Sequence, residues 1–208
     1  QALLPGEFSN FVDEAASKSQ GLQGLLGINR PDARMRDIEI LARFFAFRFF
    51  SNRYPGRMKK FLDETFDEFN KNWGKYKGKL LSATAEFEAG VAELLYLFDE
   101  GVARKPTSRQ FNRAIFDALI YYHSQPNLLQ ELKRKRARVR TAYEKLFEGD
   151  STFADAIESD TAGAPNTSMR LKEWSAALAT VLGHEVSPPA IPVPTARNTQ
   201  ITPRRRPK

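Results

Sequence analysis

The chain contains no cysteine, and this absence excludes two kinds of site. Without thiols the chain can form neither a disulfide framework nor a thiolate metal site. A chain without disulfides suits a reducing compartment, so we expect a cytoplasmic protein. Histidine is scarce as well, because only His123 and His184 are present and both are predicted near helix ends. A lone histidine there usually bonds to the exposed carbonyls of the last turn.

Catalytic motifs are missing too. There is no Gly-x-Ser-x-Gly elbow, no glycine-rich loop before a Lys-Ser/Thr pair, and no histidine–carboxylate cluster with metal-ligand spacing. We therefore expect no catalytic residue, no metal site and no cofactor in this chain.

Long apolar runs and signal sequences are also absent. The best membrane-spanning candidate, residues 34–50, is interrupted by Arg43 and Arg48, so we expect no membrane partner. The opening residues, QALLPGEF, show neither an initiator methionine nor a signal-peptide pattern. We expect the chain to be a region of a longer protein.

Apolar residues recur at helical spacing along most of the chain. The clearest stripe follows an i, i+3, i+4, i+7 pattern through Met58, Phe61, Leu62, Thr65, Phe66, Phe69 and Trp73. Period-2 alternation and internal repeats are not evident. The pattern predicts an all-α fold, a single bundle of about eight or nine helices over residues 1–184, with one helix covering 128–147.

The last residues, 185–208, differ in composition. They are rich in proline and hold few apolar residues, so burial cannot offset the entropy of ordering them. We predict a disordered basic tail.

Charge is concentrated in two places. The formal net charge is +7; the tail carries +4 and residues 133–140, KRKRARVR, carry +6, so the remainder carries −3. Such clustering is typical of a protein that binds a polyanion. Arg136 falls on the apolar stripe of its helix and is expected to pair with a carboxylate inside the bundle. Five cations are expected to point outward and are candidates for DNA contact: Lys133, Arg134, Lys135, Arg138 and Arg140. A solvated helix face is the equally weighted alternative.

A second basic candidate is the segment 73–79, WGKYKGK. Lys75, Lys77 and Lys79 alternate with aromatic residues, a pattern that suits phosphate contact with base stacking. An ordinary polar loop between two helices is the favoured interpretation.

The helix over residues 34–50 is apolar nearly all round, yet it carries Arg36, Asp37, Glu39, Arg43 and Arg48. Glu39 and Arg43 have the favourable i, i+4 order, and Arg36 lies within reach of Glu39. Asp37 lies in the first turn, where a carboxylate complements the helix dipole. Arg48 needs a partner elsewhere, such as Asp63 or Asp67. These charges predict a buried network that fixes helix packing.

The same region resembles the GmrSD-type restriction family. The resemblance rests on NRPD at 29–32, RMRDIE at 34–39, LARFFA at 41–46, Tyr54, Gly56, MKKFL at 58–62, Phe66, and ALLPGEF at 2–8. It covers residues 1–70 and thins toward 184. It implies a helical region that follows a ParB-like N-terminal catalytic domain, in proteins that restrict foreign or modified DNA, many by nucleotide-dependent cleavage. The catalytic motifs of that domain are not in this chain, so no catalytic residue is carried over.

Two functions follow as expectations. In the first, the chain is a non-catalytic helical region that supports the ParB-like domain of the same protein and contacts DNA. In the second, it is a protein–protein or homo-oligomerisation scaffold without nucleic-acid binding.

Overall fold

The computed structural model describes residues 5–28, 32–105 and 110–194. Regular structure within these residues is helical, with no strand beyond one isolated bridge between Arg104 and Phe111. The all-α prediction is confirmed. Ten α-helices occur in this part of the chain: α1 Glu7–Lys18, α2 Gln20–Leu26, α3 Arg36–Phe50, α4 Met58–Lys71, α5 Trp73–Phe98, α6 Arg113–His123, α7 Pro126–Arg134, α8 Arg136–Lys145, α9 Thr152–Glu158 and α10 Ala164–Leu182.

The helix count departs from the prediction over 128–147, which was expected to be one helix. Two helices form there, α7 and α8, because Lys135 leaves the helical conformation at φ −122° and ψ 25°. In this position the Lys135 ammonium donates to the last carbonyls of α10, 3.1 Å from Val181 O and 2.9 Å from Leu182 O. No glycine or proline marks the break, so periodicity alone does not show it.

Residues 73–79, expected to form a loop, are the first two turns of α5. A single residue separates α5 from α4. Tyr76 and Leu80 are buried at 8% and 0% exposure, so the inward-facing pattern of α5 begins well before residue 80. Gly74 and Gly78 obscured this continuity, because glycine is unfavourable inside a helix.

Helix α3 lies in the middle of the first half of the bundle. It packs against α1, α2, α4, α5 and α6, and eleven of its fifteen residues are buried. A helix that is surrounded in this way needs apolar residues on every side. The near-continuous aromatic sequence of α3 is therefore a consequence of its central place.

Aromatic rings join α1, α3 and α4. Phe8 is fully buried, and its ring centroid lies 6.1 Å from that of Phe45, 4.9 Å from Phe66 and 4.6 Å from Phe69. Aromatic pairs at such distances add about 0.5–1.5 kcal/mol each beyond the area that they bury. This cluster anchors α1 to the rest of the bundle.

The second half of the bundle packs around α10. Trp174 is fully buried, with its ring 6.0 Å from that of Tyr143 on α8. The Tyr122 hydroxyl of α6 donates to Leu171 O at 2.7 Å. Buried apolar residues of both halves belong to one connected cluster.

The start of the predicted tail needs a correction. Val186 and Pro189 are buried, and Ile191 packs against the core. The Ser175 hydroxyl donates to Val186 O at 2.8 Å, which ties this segment to α10. Disorder was predicted from residue 185, but residues 186–191 pack on the bundle because Val186, Pro189 and Ile191 provide apolar side chains that it can bury. The basic part of the tail, 195–208, lies outside the described residues.

Two glycines of α5 offer a matched test of this packing. We expect Gly78→Ala to raise the free energy of unfolding by about 0.5–1 kcal/mol, because alanine is the better helix former. A Cβ at Gly78 would meet nothing within 4 Å. Chemical denaturation of the two proteins measures the difference.

Gly90→Ala is the control and should destabilise the protein. A Cβ there would lie 3.0 Å from the carbonyl carbon and oxygen of His123 and from Ile120. Equal effects of the two substitutions would contradict the packing of α5 on α6.

Candidate functional site

The buried charge network centres on Arg43, but its main partner differs from the expected one. Arg43 is 8% exposed, and its guanidinium donates from Nε to Asp117 Oδ1 at 3.1 Å and from Nη2 to Asp117 Oδ2. Glu39 lies farther away, 3.7 Å from Arg43 Nη1 and 3.3 Å from Arg113 Nε. Glu39 is partly exposed, so the deeper carboxylate of α6 neutralises the buried cation.

Electrostatics explains why this cation stays charged. Burial by itself would lower the pKa of Arg43, but the Asp117 carboxylate outweighs it and the pKa lies above its ordinary value. The Arg43–Asp117 pair therefore acts as a fixed connection between α3 and α6.

Arg36 and Asp37 bond near the start of α3 and do not reach Glu39. Arg36 Nε donates to Asp32 Oδ2 at 2.5 Å, so its expected contact with Glu39 is wrong. Asp37 is buried in the first turn and accepts from the backbone N–H of Asp32 at 3.1 Å and of Ile38 at 2.8 Å. Its expected place at the helix N-terminus is confirmed.

Arg48 also pairs differently from the prediction. It contacts Glu86 of α5 at 3.2 Å, whereas Asp63 and Asp67 bond to lysines within α4. The side chain of Arg48 is 36% exposed, so this pair borders the solvent.

One buried cation had no signal in the sequence. Arg170 of α10 is 2% exposed and donates to Ala156 O at 2.7 Å and to Thr161 O at 2.8 Å. Burial lowers its pKa to about 10. Its hydrogen bonds hold the α9–α10 connection against α10, because a guanidinium can satisfy several carbonyls at once.

Some cations of the basic segment 133–140 bond to other helices of the bundle. Lys135 caps α10, and Arg140 Nη2 donates to Leu97 O near the end of α5. The expectation that both point outward without an internal role is therefore wrong. Arg136 pairs with the buried Glu93, with both nitrogen–oxygen distances at 2.6 Å, which confirms the expected internal carboxylate.

Three cations of this segment keep no such role. Arg134 and Arg138 are exposed and Lys133 is half-buried, and no carboxylate lies within ion-pair distance of them among the described residues. We call Lys133, Arg134 and Arg138 the basic face of α7–α8.

The second basic candidate does not join this face. Lys75, Lys77 and Lys79 are exposed at the first turns of α5, with the ammonium of Lys75 5.2 Å from the Tyr76 ring. Glu93, where α8 attaches, lies about 21–27 Å farther along the helix axis at 1.5 Å per residue. The two sets of lysines and arginines therefore form separate surfaces.

A groove lies next to the basic face, between α8 and α10. Its volume is about 550 Å³, and its lining contains small side chains such as Ala142, Ala177 and Thr180, together with Arg138 and Lys145. No carboxylate lines it. The groove combines an apolar floor with positive charge.

The two histidines have different surroundings. His123 is fully buried, with Nδ1 2.9 Å from Leu119 O and its ring stacked on Trp174. Burial lowers the pKa of His123 to about 4. His184 is exposed, with Nε2 2.8 Å from Glu131, and that hydrogen bond raises its pKa.

Within the described ranges no group of three or more histidines and carboxylates could hold a metal ion, and no helix there has the length and apolarity to cross a membrane.

Known proteins provide no relative. No family, no curated protein and no solved structure matches this chain. A functional assignment therefore rests on the sequence and the structure of this chain alone.

Removal of the buried guanidinium tests the central ion pair. Arg43→Ala should lower the free energy of unfolding by about 3–5 kcal/mol, because Asp117 would be left buried without a counter-charge. Arg48→Ala is the control and should cost at most about 1 kcal/mol, since that pair is near the solvent. Urea denaturation measures both, and similar losses for the two variants would argue against the buried pair.

The buried histidine should make stability depend on pH. Its pKa is lowered from 6.5 to about 4 by folding, so its contribution is complete above pH 6.5 and is lost as pH falls toward 4. Between pH 6.5 and 5 this group should lower the free energy of unfolding by about 1 kcal/mol per pH unit on average. Denaturation at both pH values should show this slope in the parent chain and not in His123→Gln.

His184→Gln is the control for the histidine experiment. The pKa of His184 is raised in the folded chain, so its contribution is complete below pH 6.5 and is lost as pH rises. The acid-side slope should therefore persist in this variant. A slope that disappears only with His184→Gln would refute the assignment to His123.

Proposed function

We propose that this chain is the non-catalytic helical region of a GmrSD-type, DNA-targeting defence protein of the cytoplasm. In this role it supports a ParB-like catalytic domain of the same protein and contacts DNA phosphates through the basic face of α7–α8. The proposal extends the resemblance of residues 1–70, which implies the family, with a surface that the fold leaves available.

The proposed DNA contact rests on one observation: within residues 133–140 some cations bond to other helices of the bundle, and others do not. Lys135, Arg136 and Arg140 bond to α10, to Glu93 and to α5. Arg134, the last residue of α7, and Arg138, in the first turn of α8, remain exposed on either side of the break at Lys135. Cations without a carboxylate partner are free to replace the counterions of a phosphate backbone.

The internal bonds also give this face a rigid support. Lys135 holds the α7–α8 junction to the end of α10, and Arg136 holds α8 to the last third of α5. Contacts to phosphate fix the position of a protein on DNA without reading its sequence. We therefore assign this face a positioning role, with base recognition and cleavage left to the ParB-like domain.

A scaffold function is the second candidate, and the groove between α8 and α10 favours it. An apolar floor with Arg138 and Lys145 beside it suits an acidic, partly apolar protein segment. Salt separates the two functions. Phosphate contact weakens steeply as salt rises, whereas apolar contact does not.

Charge removal on the basic face tests DNA contact. Arg134→Ala combined with Arg138→Ala should weaken binding to duplex DNA and lower the slope of log affinity against log salt by about two units. Folding stability should change by less than about 0.5 kcal/mol per site, because both side chains are exposed. Fluorescence anisotropy over a salt series gives the affinity and the slope.

Two controls make the result specific. Lys59→Ala with Lys60→Ala removes the same charge from the exposed side of α4, where both lysines pair with carboxylates, and should leave the slope unchanged. Arg136→Ala should reduce stability through Glu93 and keep the slope. Unchanged DNA affinity in the Arg134/Arg138 variant at low salt would reject DNA contact by this face.

A further inference from the structure

The outer side of α5 carries no charge over four turns. Six residues between Leu81 and Tyr96 are exposed, and all are apolar or small: Leu81, Ser82, Ala85, Ala89, Ala92 and Tyr96. Leu81 is 54% exposed and Tyr96 is 68% exposed, the two largest values among the exposed large hydrophobic residues. The solvent side of a surface helix normally carries charged and polar residues.

The exposed residues form one stripe along the helix axis. At 100° per residue Leu81, Ala85, Ala89, Ala92 and Tyr96 fall within a sector of about 80°. The groove between α1 and α5, about 550 Å³ in volume, borders this stripe at Leu81 and Ala85. We call these five residues the α5 face.

Two glycines extend the α5 face toward the start of the helix. Gly78 and Gly74 continue the same angular sector, and a Cβ on either would meet nothing within 4 Å. A glycine inside a helix costs about 1 kcal/mol relative to alanine. No packing within the described chain requires this cost, and the open space beside both glycines leaves the start of the face accessible.

We propose that the α5 face binds the α5 face of a second copy of this chain, with the two helices antiparallel and Ala89 beside the two-fold axis. This inference is independent of the proposed DNA contact, because it uses a different helix surface.

The order of residues along the face is self-complementary in this arrangement. Antiparallel pairing about Ala89 places Leu81 opposite Tyr96 and Ala85 opposite Ala92. Large side chains then meet at both ends, and small ones meet at the centre, where they allow the helix axes to approach to about 8 Å. A two-fold interface requires this reciprocity of contacts.

Charge at the ends of α5 supports the antiparallel direction. Lys75 and Lys77 flank the face near the start of the helix, and the exposed Asp99 follows its end. Antiparallel pairing brings the end of α5 in each copy, which Asp99 follows, beside the start of α5 in the other copy, where those lysines lie. The positive N-terminal end of each helix dipole also lies beside the negative C-terminal end of its neighbour.

The acidic side chain nearest the axis does not oppose pairing. Glu88 borders the face, but its carboxylate accepts from the Ser19 hydroxyl and from Gly21 N at 3.0 Å. Both bonds direct it toward α2. None of the exposed α5 residues from Leu81 to Tyr96 is cationic. The guanidinium of Arg136, which lies over the Tyr96 ring, is paired with Glu93, so the face is poorly suited to bind the phosphates of a nucleic acid.

A charge at the axis should separate the copies. Light scattering after size-exclusion chromatography, over a series of protein concentrations, should give a dimer for the parent chain. Ala89→Glu should give a monomer with unchanged helical circular dichroism, because two carboxylates would face each other at close range. Ala176→Glu, the same change at an exposed position of α10, should remain a dimer. A monomeric parent chain, or equal behaviour of the two variants, would overturn the proposal.

The absence of native cysteine allows a second test of the geometry. Under mild oxidation Ala89→Cys should form a covalent dimer with itself, because the two positions meet at the axis. Ala85→Cys alone should not, since its copies lie about 10 Å apart along the axis, but it should cross-link when mixed with Ala92→Cys. Self-linking of Ala85→Cys, or no link at Ala89→Cys, would refute antiparallel pairing about Ala89.

Discussion

The structure depends on one buried cation that is neutralised in the middle of the bundle. Helix α3 packs against five other helices, and the side chain of Arg43, near the middle of α3, is only 9% exposed, so its charge needs a partner inside the bundle. Arg43 is held by the two oxygens of Asp117, an ion pair that ties α3 to α6 at one relative height. Apolar packing is tolerant of small shifts, whereas a bidentate ion pair in a dry interior is not. The aromatic cluster holds α1, α3 and α4 together, and the Arg43–Asp117 pair fixes the position of α3 along α6.

Cations elsewhere in the chain serve a related purpose. Lys135, Arg140 and Arg170 donate to backbone carbonyls at the end of α10, near the end of α5 and in the α9–α10 connection. The last carbonyls of a helix lack partners within the helix, and long basic side chains can satisfy them from a neighbouring element. Some cations of a basic segment can therefore stabilise the fold. The net charge of the segment then overstates the number of cations that are available to bind a partner.

Two of the surfaces left after these internal roles are the proposed sites of contact with partners. The basic face of α7–α8 holds cations without carboxylate partners among the described residues, and the five residues of the α5 face are themselves uncharged. Arg136 connects the two structurally, since it pairs with Glu93 of α5 and its guanidinium lies 3.9 Å from the centre of the Tyr96 ring. Pairing of α5 helices would place two basic faces in one assembly. Two linked phosphate-binding surfaces bind a long polyanion more tightly than one.

The sequence by itself determined the helical class and the place of Asp37 at the start of α3, because each depends on spacing along one helix. It also indicated that Arg136 meets an internal carboxylate, but the packed bundle decided that this carboxylate is Glu93 of α5. It could not determine which carboxylate meets Arg43 or Arg48, since Asp117 and Glu86 come from distant helices whose relative height is a property of the packed bundle. It likewise missed the break at Lys135, the helical start of α5 and the buried Arg170. In each case a contact across the bundle outweighs local propensity, because a buried donor, acceptor or apolar ring is stabilised only when another helix supplies its partner.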